Sequence, residues 1–373
     1  MSLNKAQKEA VSHKEGPCLV LAGPGSGKTL TIAKRIEYLI KVYKVRPEEI
    51  LVITFTKYAA WEMKNRTRSI CGPSSYAVTF GTFHGIYYGI LKWAYRLNQS
   101  NLLSDEEKYR ILREILPGID WDQEPEADEE KDYLQELAIE IGNVKNNCMD
   151  IEEYEPVKYT TEKFRKLYRT YEETKKKYRK IDFEDMLIQC RDLFMKRPDI
   201  LKKWQEKFQY ILVDEFQDVN QAQYDVVRML AAPQDNLFVV GDDDQSVYGF
   251  RGAKPGIMME FMKDYPKARQ ILLDVNYRSS GYIVKGALRV IGNNKIRFEK
   301  KIEAFQKADE TVHVQEVKDP VQEAEYVLEK IKECQEKGIA TYLVEYTKNT
   351  DWRAAINAYC KKHHITYYNP TIK

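Results

Sequence analysis

Eight consecutive residues, Ala22-Gly23-Pro24-Gly25-Ser26-Gly27-Lys28-Thr29, constrain this chain more than any other segment. A short apolar run, Cys18-Leu19-Val20-Leu21, leads into them. Behind them Ile32, Ile36, Leu39, Ile40 and Tyr43 recur at helical spacing, so the unit reads strand, glycine loop, helix. The general phosphate-binding loop is G-x-x-x-x-G-K-[ST], and here Ala22 stands in place of its first glycine. Glycines let successive backbone N–H groups turn inward around an anion, and the following helix adds the positive end of its dipole. Lys28 is then positioned for the β- and γ-phosphates of a nucleotide and Thr29 for Mg²⁺. A plain glycine-rich turn is the alternative. The strand before, the helix after and the closing Lys-Thr argue against it.

The remaining pattern extends this unit into an α/β fold. Ile50 to Phe55, Val78 to Phe80, Tyr210 to Val213 and Leu237 to Val240 are apolar runs of strand length, and a helix is expected over about 59–70. Strands alternating with helices predict a parallel sheet covered on both faces. Residues from about 93 to 181 lack such runs, while Leu134, Leu137, Ala138 and Ile141 fit one helical face, so an all-α insertion is expected there. Its acidic stretch 122–132 and its basic run at Lys175-Lys176-Lys177 read as solvated surface. A second α/β pattern begins near Pro266. It has a strand at Ile271-Leu272-Leu273, a period-two strand over 312–317, and a helix capped by Asp319 with Pro320 first. A strand at 342–344, a helix over 352–362 and a strand from Ile365 follow. The resulting division is 1–95 with 182–265 as a first domain, 96–181 as the helical insertion, and 266–373 as a second domain.

Composition narrows the class. With 59 Lys plus Arg against 57 Asp plus Glu, the net charge is only +2, so a nucleic-acid site must be a local patch. No apolar run is long enough to span a bilayer, and Met1 to Lys5 lacks the apolar core of a signal peptide. The six cysteines are scattered without a Cys-x-x-Cys, which argues against structural zinc and a disulfide framework and suggests the cytoplasm. His363-His364 read as surface residues, and Arg35 as a surface or ion-pair residue more than a nucleotide contact.

Two further acidic motifs follow apolar strands. Asp214-Glu215, after Ile211-Leu212-Val213, resembles a Walker B element, in which Asp214 holds the metal and Glu215 orients and deprotonates the attacking water. The segment Gly241 to Gly252 places three acids, Asp242-Asp243-Asp244, ahead of Gln245 and an aromatic–basic cluster of Tyr248, Phe250 and Arg251. Three adjacent acids suggest a metal site or an exposed turn. Gln245 is suited to sensing a γ-phosphate, and the aromatic–basic cluster to stacking unpaired bases.

Taken in order, these motifs resemble the UvrD/PcrA/Rep family of superfamily 1 DNA helicases. The resemblance begins with Leu3-Asn4, Gln7 and Ala10-Val11 and takes in the phosphate loop. It continues through Ile53-Thr54-Phe55-Thr56-Lys57-Tyr58-Ala59-Ala60, Gly81-Thr82-Phe83-His84 and Asp182-Phe183-Glu184-Asp185. Val213 to Asp218, Val240 to Ala253 and Asn276-Tyr277-Arg278-Ser279 complete it. It implies two RecA-like domains with ATP and Mg²⁺ between them, and movement 3′ to 5′ on DNA. It further implies that Gln7 reads the adenine edge, Tyr277 stacks on the base, and Arg278 touches the γ-phosphate. Lys28, Thr29 and Asp214 would hold phosphate and metal, and Gln245 would couple nucleotide state to DNA. Phe55, His84, Tyr248, Phe250 and Arg251 would line the single-strand path. The implied partners are single-stranded DNA, 3′-tailed duplex DNA, and repair or replication proteins.

Departures from the family accompany the likeness. Lys57-Tyr58 stands where the family has Asn-Lys, and Leu30 where an arginine commonly faces adenine. The family's later motifs have no counterpart, so the expectation is an N-terminal portion with a partial second RecA-like domain. A DNA- or partner-binding module with little turnover is the alternative. A small-molecule kinase fits less well, since it has no use for the clusters at 248–251 and 276–278.

Overall fold

Strands β1 (Cys18–Ala22), β2 (Ile50–Thr54) and β5 (Leu237–Gly241) are buried along their whole length. Such strands have no polar face to offer water and must be covered on both sides, as in a parallel sheet. The computed structural model describes residues 3–119, 130–246, 254, 256–295, 297–306 and 314–338. It divides the chain into two units, Met1–Asp309 and Glu310–Lys373.

In the first unit β3 (Thr79–Thr82), β4 (Tyr210–Val213) and β6 (Arg269–Leu273) complete a six-stranded sheet of order β3-β2-β4-β5-β1-β6. Every pairing is parallel. Alternate residues serve opposite faces. Leu19, Leu21, Ile53, Val213 and Val239 pack with side chains of α4 (Phe83–Tyr95), α8 (Phe183–Lys196), α10 (Gln221–Ala231) and α11 (Gly256–Asp264). Val20, Ala22, Val52, Leu212 and Val240 pack on the other face with α1 (Lys5–Ser12), α2 (Lys28–Lys41) and α3 (Lys57–Cys71). A short α9 (Pro198–Lys207) leads into β4. Beyond the sheet, β7 (Val275–Ser280) and β8 (Glu303–Gln306) form a separate parallel pair flanking α12 (Gly281–Ile291).

The insertion is helical as expected. Its described helices are α5 (Asp105–Ile115), α6 (Glu130–Asn146) and α7 (Thr161–Lys177). They enclose their own core, in which Leu112, Leu137, Ile141, Phe164 and Leu167 are almost fully buried. The chain enters and leaves side by side: Leu103 N–H donates to Ile181 O, and Ile181 N–H to Asn101 O, each at 2.8 Å.

Four details differ from the sequence reading. Ile271-Leu272-Leu273 is a strand, but it pairs with β1 and closes the first sheet instead of opening the second domain at 266. β1 would otherwise present an open edge of backbone donors and acceptors to solvent. Residues 314–317 are not strand, while 312 and 313, like 342–373, lie outside the described residues. The second unit shows α13 (Pro320–Glu336), whose expected cap is present: Asp319 Oδ1 accepts from Val321 and Gln322 N–H at 2.9 Å.

The third difference is Arg35, which is buried instead of exposed. Its guanidinium lies 4.3 Å from the Phe238 ring centroid and donates to the carbonyls of Ala10 and His13 at the end of α1. Burial lowers its pKa to about 10.

The fourth is Lys175, read as part of a solvated run but buried with Lys145 among three carboxylates. Lys145 Nζ lies 2.8 Å from Asp182, 2.7 Å from Asp185 and 2.6 Å from Glu172. Lys175 Nζ lies 2.7 Å from Asp182 and also pairs with Asp185. Burial alone would lower the Lys145 pKa, but Asp182, Asp185 and Glu172 outweigh it and hold the ammonium well above its usual value. Asp182 also caps α8, so this cluster fastens α6 and α7 to the core. Removing one partner leaves buried charge uncompensated. Lys175→Met is therefore expected to lower unfolding free energy by about 3–5 kcal/mol, read as a shift of the urea midpoint against the unaltered chain.

Candidate functional site

The order β4-β5-β1 brings three strand ends to one edge of the sheet. Loops after parallel strands gather at the carboxyl ends, where open α/β sheets hold their ligands. At this edge the loop 23–27 follows β1, Asp214-Glu215 follows β4, and Asp242 to Gln245 follows β5.

Backbone geometry accounts for two of the loop glycines. Gly25 and Gly27 have φ of 67° and 85°, the left-handed region open to glycine. A Cβ at Gly25 would lie 2.6 Å from Arg278 Cβ and 2.8 Å from Asn276 Oδ1, and one at Gly27 would lie 2.9 Å from Gln7 Nε2. The same crowding shows what the loop touches. Tyr277 N–H donates to Gly25 O at 2.9 Å, and Gln7 Nε2 donates to Ser26 O at 2.9 Å. Asn4 caps α1 and donates through Nδ2 to the Tyr277 hydroxyl at 3.0 Å. Gln7, the loop, Tyr277 and Arg278 thus share one neighbourhood. Tyr277 in turn packs against Phe305, with centroids 5.1 Å apart.

Lys28 and Thr29 open α2, and Lys28 Nζ meets Glu215 Oε2 at 2.9 Å. Glu215 has φ of 51°, a left-handed conformation that costs a residue with a side chain of order 1–3 kcal/mol. Asp214 is nearly buried, and its Oδ1 accepts the Glu215 N–H at 3.0 Å. Burial, then the Glu215 charge, push the Asp214 carboxyl up to about 6, with Lys28 opposing. Gln217 joins the two acidic segments. Its Nε2 donates to Glu215 Oε2 at 2.8 Å and its Oε1 accepts the Asp242 N–H at 3.0 Å. Gln245 Nε2 donates to Asp242 Oδ2 at 2.6 Å. A chain of polar contacts therefore runs from Lys28 through Glu215, Gln217 and Asp242 to Gln245. Gln217 has no role in the sequence reading, and only its place inside the acidic motif pointed to it.

The Asp242-Asp243-Asp244 turn is not an exposed turn: its three carboxylates lie within 4.8 Å of one another, close enough to share a metal ion, and basic side chains meet them. Lys300, with a fully buried side chain, pairs with all three, and Arg297 with Asp244. Repulsion among neighbouring carboxylates is relieved by basic residues more than fifty positions away, which local sequence does not reveal.

A second cluster lies over the ends of β2 and β3. Phe55 and His84 line a cleft of about 490 Å³ together with Lys108, Tyr109, Asn143 and Phe183. Its walls come from both the core and the insertion. His84 faces the Phe183 ring edge-on, 5.7 Å between centroids, and burial lowers its pKa, so the imidazole is neutral near pH 7. Tyr248, Phe250 and Arg251 lie outside the described residues.

A glycine loop at the end of one parallel strand, facing acids two strands away, is the arrangement of a RecA-like P-loop fold. The family profile described as UvrD/REP helicase N-terminal domain matches residues 3–266, and the UvrD-like helicase C-terminal domain profile matches 271–368. The chain belongs to the UvrD/REP helicase family. It is 39% identical over 367 residues to the putative ATP-dependent DNA helicase YjcD of Bacillus subtilis, covering 95% of this chain and 47% of that one. It is 36% identical to the ATP-dependent DNA helicase PcrA of Staphylococcus aureus, covering 90% of this chain and 46% of that protein. It is 34% identical to DNA helicase II of Escherichia coli, with 94% and 49% covered. The chain thus spans about half the length of these curated relatives.

The raised Asp214 pKa has a stability consequence. Between its ordinary 3.8 and about 6 the folded chain keeps a proton that the unfolded chain has released. Ionised Asp214 therefore weakens the fold fully above pH 6 and not at all below pH 3.8, by about 3 kcal/mol at most. In metal-free buffer Asp214→Asn should unfold at higher denaturant than the unaltered chain at pH 8. The gain should vanish near pH 4, as followed by tryptophan fluorescence.

Proposed function

We propose that this chain binds ATP with Mg²⁺ at the loop between β1 and α2 and uses its hydrolysis to move 3′ to 5′ along single-stranded DNA. The observation that carries the reading is the convergence of Lys28, Asp214-Glu215, Gln245, Tyr277 and Arg278 around one glycine loop. The domain division proposed is a first RecA-like domain, the helical insertion over 96–181 and a second RecA-like domain. The first of these now extends through β6. The relatives' names support ATP and DNA as ligands.

The residues present suit a magnesium ion. Asp214 is a buried carboxylate with a raised pKa, and Thr29 offers a hydroxyl at the start of α2. Hard oxygen donors of this kind suit Mg²⁺. When bound, the ion would neutralise charge on the β- and γ-phosphates. In this reading Gln7 holds the adenine edge while Tyr277 stacks on the ring. Lys28 leaves Glu215 for the phosphates, which frees the Glu215 carboxylate to take a proton from water. Gln245 senses the γ-phosphate, with Arg278 alongside. Lys28→Ala should abolish ATP hydrolysis. Glu215→Gln should keep ATP binding and lose about 10²-fold or more in turnover, as expected for a lost general base. Steady-state ATPase and binding of a fluorescent ATP analogue measure both. Retained turnover in Lys28→Ala would remove the nucleotide site.

Single-stranded DNA is proposed to run through the cleft that holds Phe55 and His84, and the aromatic–basic pattern of Tyr248, Phe250 and Arg251 in the sequence suits further contacts with unpaired bases. Repair or replication proteins, 3′-tailed duplexes and a cytoplasmic setting belong to the same reading. Base–aromatic stacking contributes about 1–3 kcal/mol per base. Phe55→Ala should weaken oligo(dT) binding by that amount, and binding should weaken as salt rises. Fluorescence anisotropy decides it, and a preference for blunt duplex would count against the path.

A further inference from the structure

The segment that follows α12 touches three separate parts of the nucleotide site within nine residues. Arg297 grips Asp244 with two donors, Nε to Oδ1 at 2.8 Å and Nη2 to Oδ2 at 2.5 Å. The backbone N–H of Phe298 donates to Asp243 Oδ2 at 2.8 Å. Lys300 Nζ lies 2.6 Å from both Asp243 Oδ1 and Asp244 Oδ2 and also pairs with Asp242 Oδ1. Two residues on, Ile302 sits over the phosphate loop, its Cδ1 only 2.5 Å from where a Cβ of Gly23 would be. Phe305 then packs against Tyr277.

We infer that Lys300 is a positioning residue for ATP hydrolysis, its ammonium holding the Asp242–Asp244 turn closed so that Gln245 is kept in place at the end of the contacts that lead through Asp242 and Gln217 to the Lys28–Glu215 pair. The inference rests on the nucleotide-site reading above. Three successive carboxylates repel one another, and in a buried setting that repulsion is weakly screened. Lys300 has no exposed side-chain surface, and its ammonium pairs with each of these three acids. Asp242 divides its two oxygens between Lys300 and the Gln245 amide. Without the ammonium, Asp242 is pushed away from Asp243 and the Gln245 amide loses its anchor. Because the same segment continues into β8 beside Tyr277 in β7, the latch ties the Gln245 turn to the strand that carries Tyr277 and Arg278.

A merely structural role and a positioning role part in kinetics. Lys300→Met is measured by single-turnover hydrolysis at saturating ATP–Mg²⁺, by the dissociation constant of a fluorescent ATP analogue, and by thermal melting. The hydrolysis rate is expected to fall by about tenfold to a hundredfold, the scale of a misplaced catalytic group. The dissociation constant should move by less than about threefold. Adding Asp243→Asn to Lys300→Met removes the surplus negative charge and should restore most of the lost rate. An unaltered rate in Lys300→Met overturns the inference. So does a rate loss that the second substitution fails to recover while melting is unchanged. Should Lys300→Met not fold, Arg297→Gln releases Asp244 alone and should lower the rate at constant affinity, and a wild-type rate there overturns the latch equally. Lys28→Ala is run alongside: if hydrolysis survives it, the nucleotide site itself is wrong, whereas its loss with normal Lys300→Met turnover rejects the latch only.

Discussion

Parallel hydrogen bonding between β1, β5 and β4 is the constraint on which the site depends. Val20 pairs with Val240 and Leu21 with Gly241, while Val213 pairs with Val239. With all three strands running the same way and ending nearly level, the segments that leave them must face one another. Lys28 then reaches Glu215 across the end of β5, and Gln217 reaches Asp242, without any strand bending to bring them together. Helices cover both faces, so a one-residue slip would carry every Val, Leu and Ile to the opposite face and misfit it against the other set of helices.

Two of the charge clusters in the first unit stand in contrast. At Lys145, Lys175, Asp182 and Asp185 each ammonium is matched by several carboxylates, and the cluster fastens helices together. At the sheet edge the balance is poorer. Asp214 is buried beside Glu215 with Lys28 as the opposing charge, and Glu215 occupies an unfavourable backbone region. Such tension is concentrated where ligands bind, and the surrounding structure sustains it.

Elements whose signal is local were legible. The loop at 22–29, the strand before Asp214 and the helical insertion each follow from residues adjacent in the chain, because burial pattern and glycine placement act over a few positions. What depended on distant partners was not. β6 looked like the start of a new domain because its apolar run does not reveal that β1 has a free edge. Lys175 looked like surface because a run of lysines gives no hint of two aspartates at the start of the next helix, Asp182 as its cap and Asp185 in its first turn. The acids at 242–244 gave no sign of Arg297 and Lys300 as their partners, because those residues lie more than fifty positions away. For Tyr248, Phe250 and Arg251 the aromatic–basic pattern stands on sequence alone.

Helix α2 links these features in one further way. Its first residue is Lys28, and Arg35, seven residues later, closes the end of α1 through the carbonyls of Ala10 and His13. Seven residues of helix span about 10 Å. The helix thus acts as a rigid gauge, with the phosphate loop at one end and the clamp on α1 further along. Gln7 lies on α1, so its separation from the Lys28 ammonium is inherited from helical rise as much as from loop packing. A single inserted residue between 28 and 35 would turn Arg35 by about 100° away from Phe238. That change would release α1 from the sheet while leaving every residue of the glycine loop intact. Chains of this kind can therefore absorb length variation in the connection between α1 and β1 far more readily than in the interior of α2.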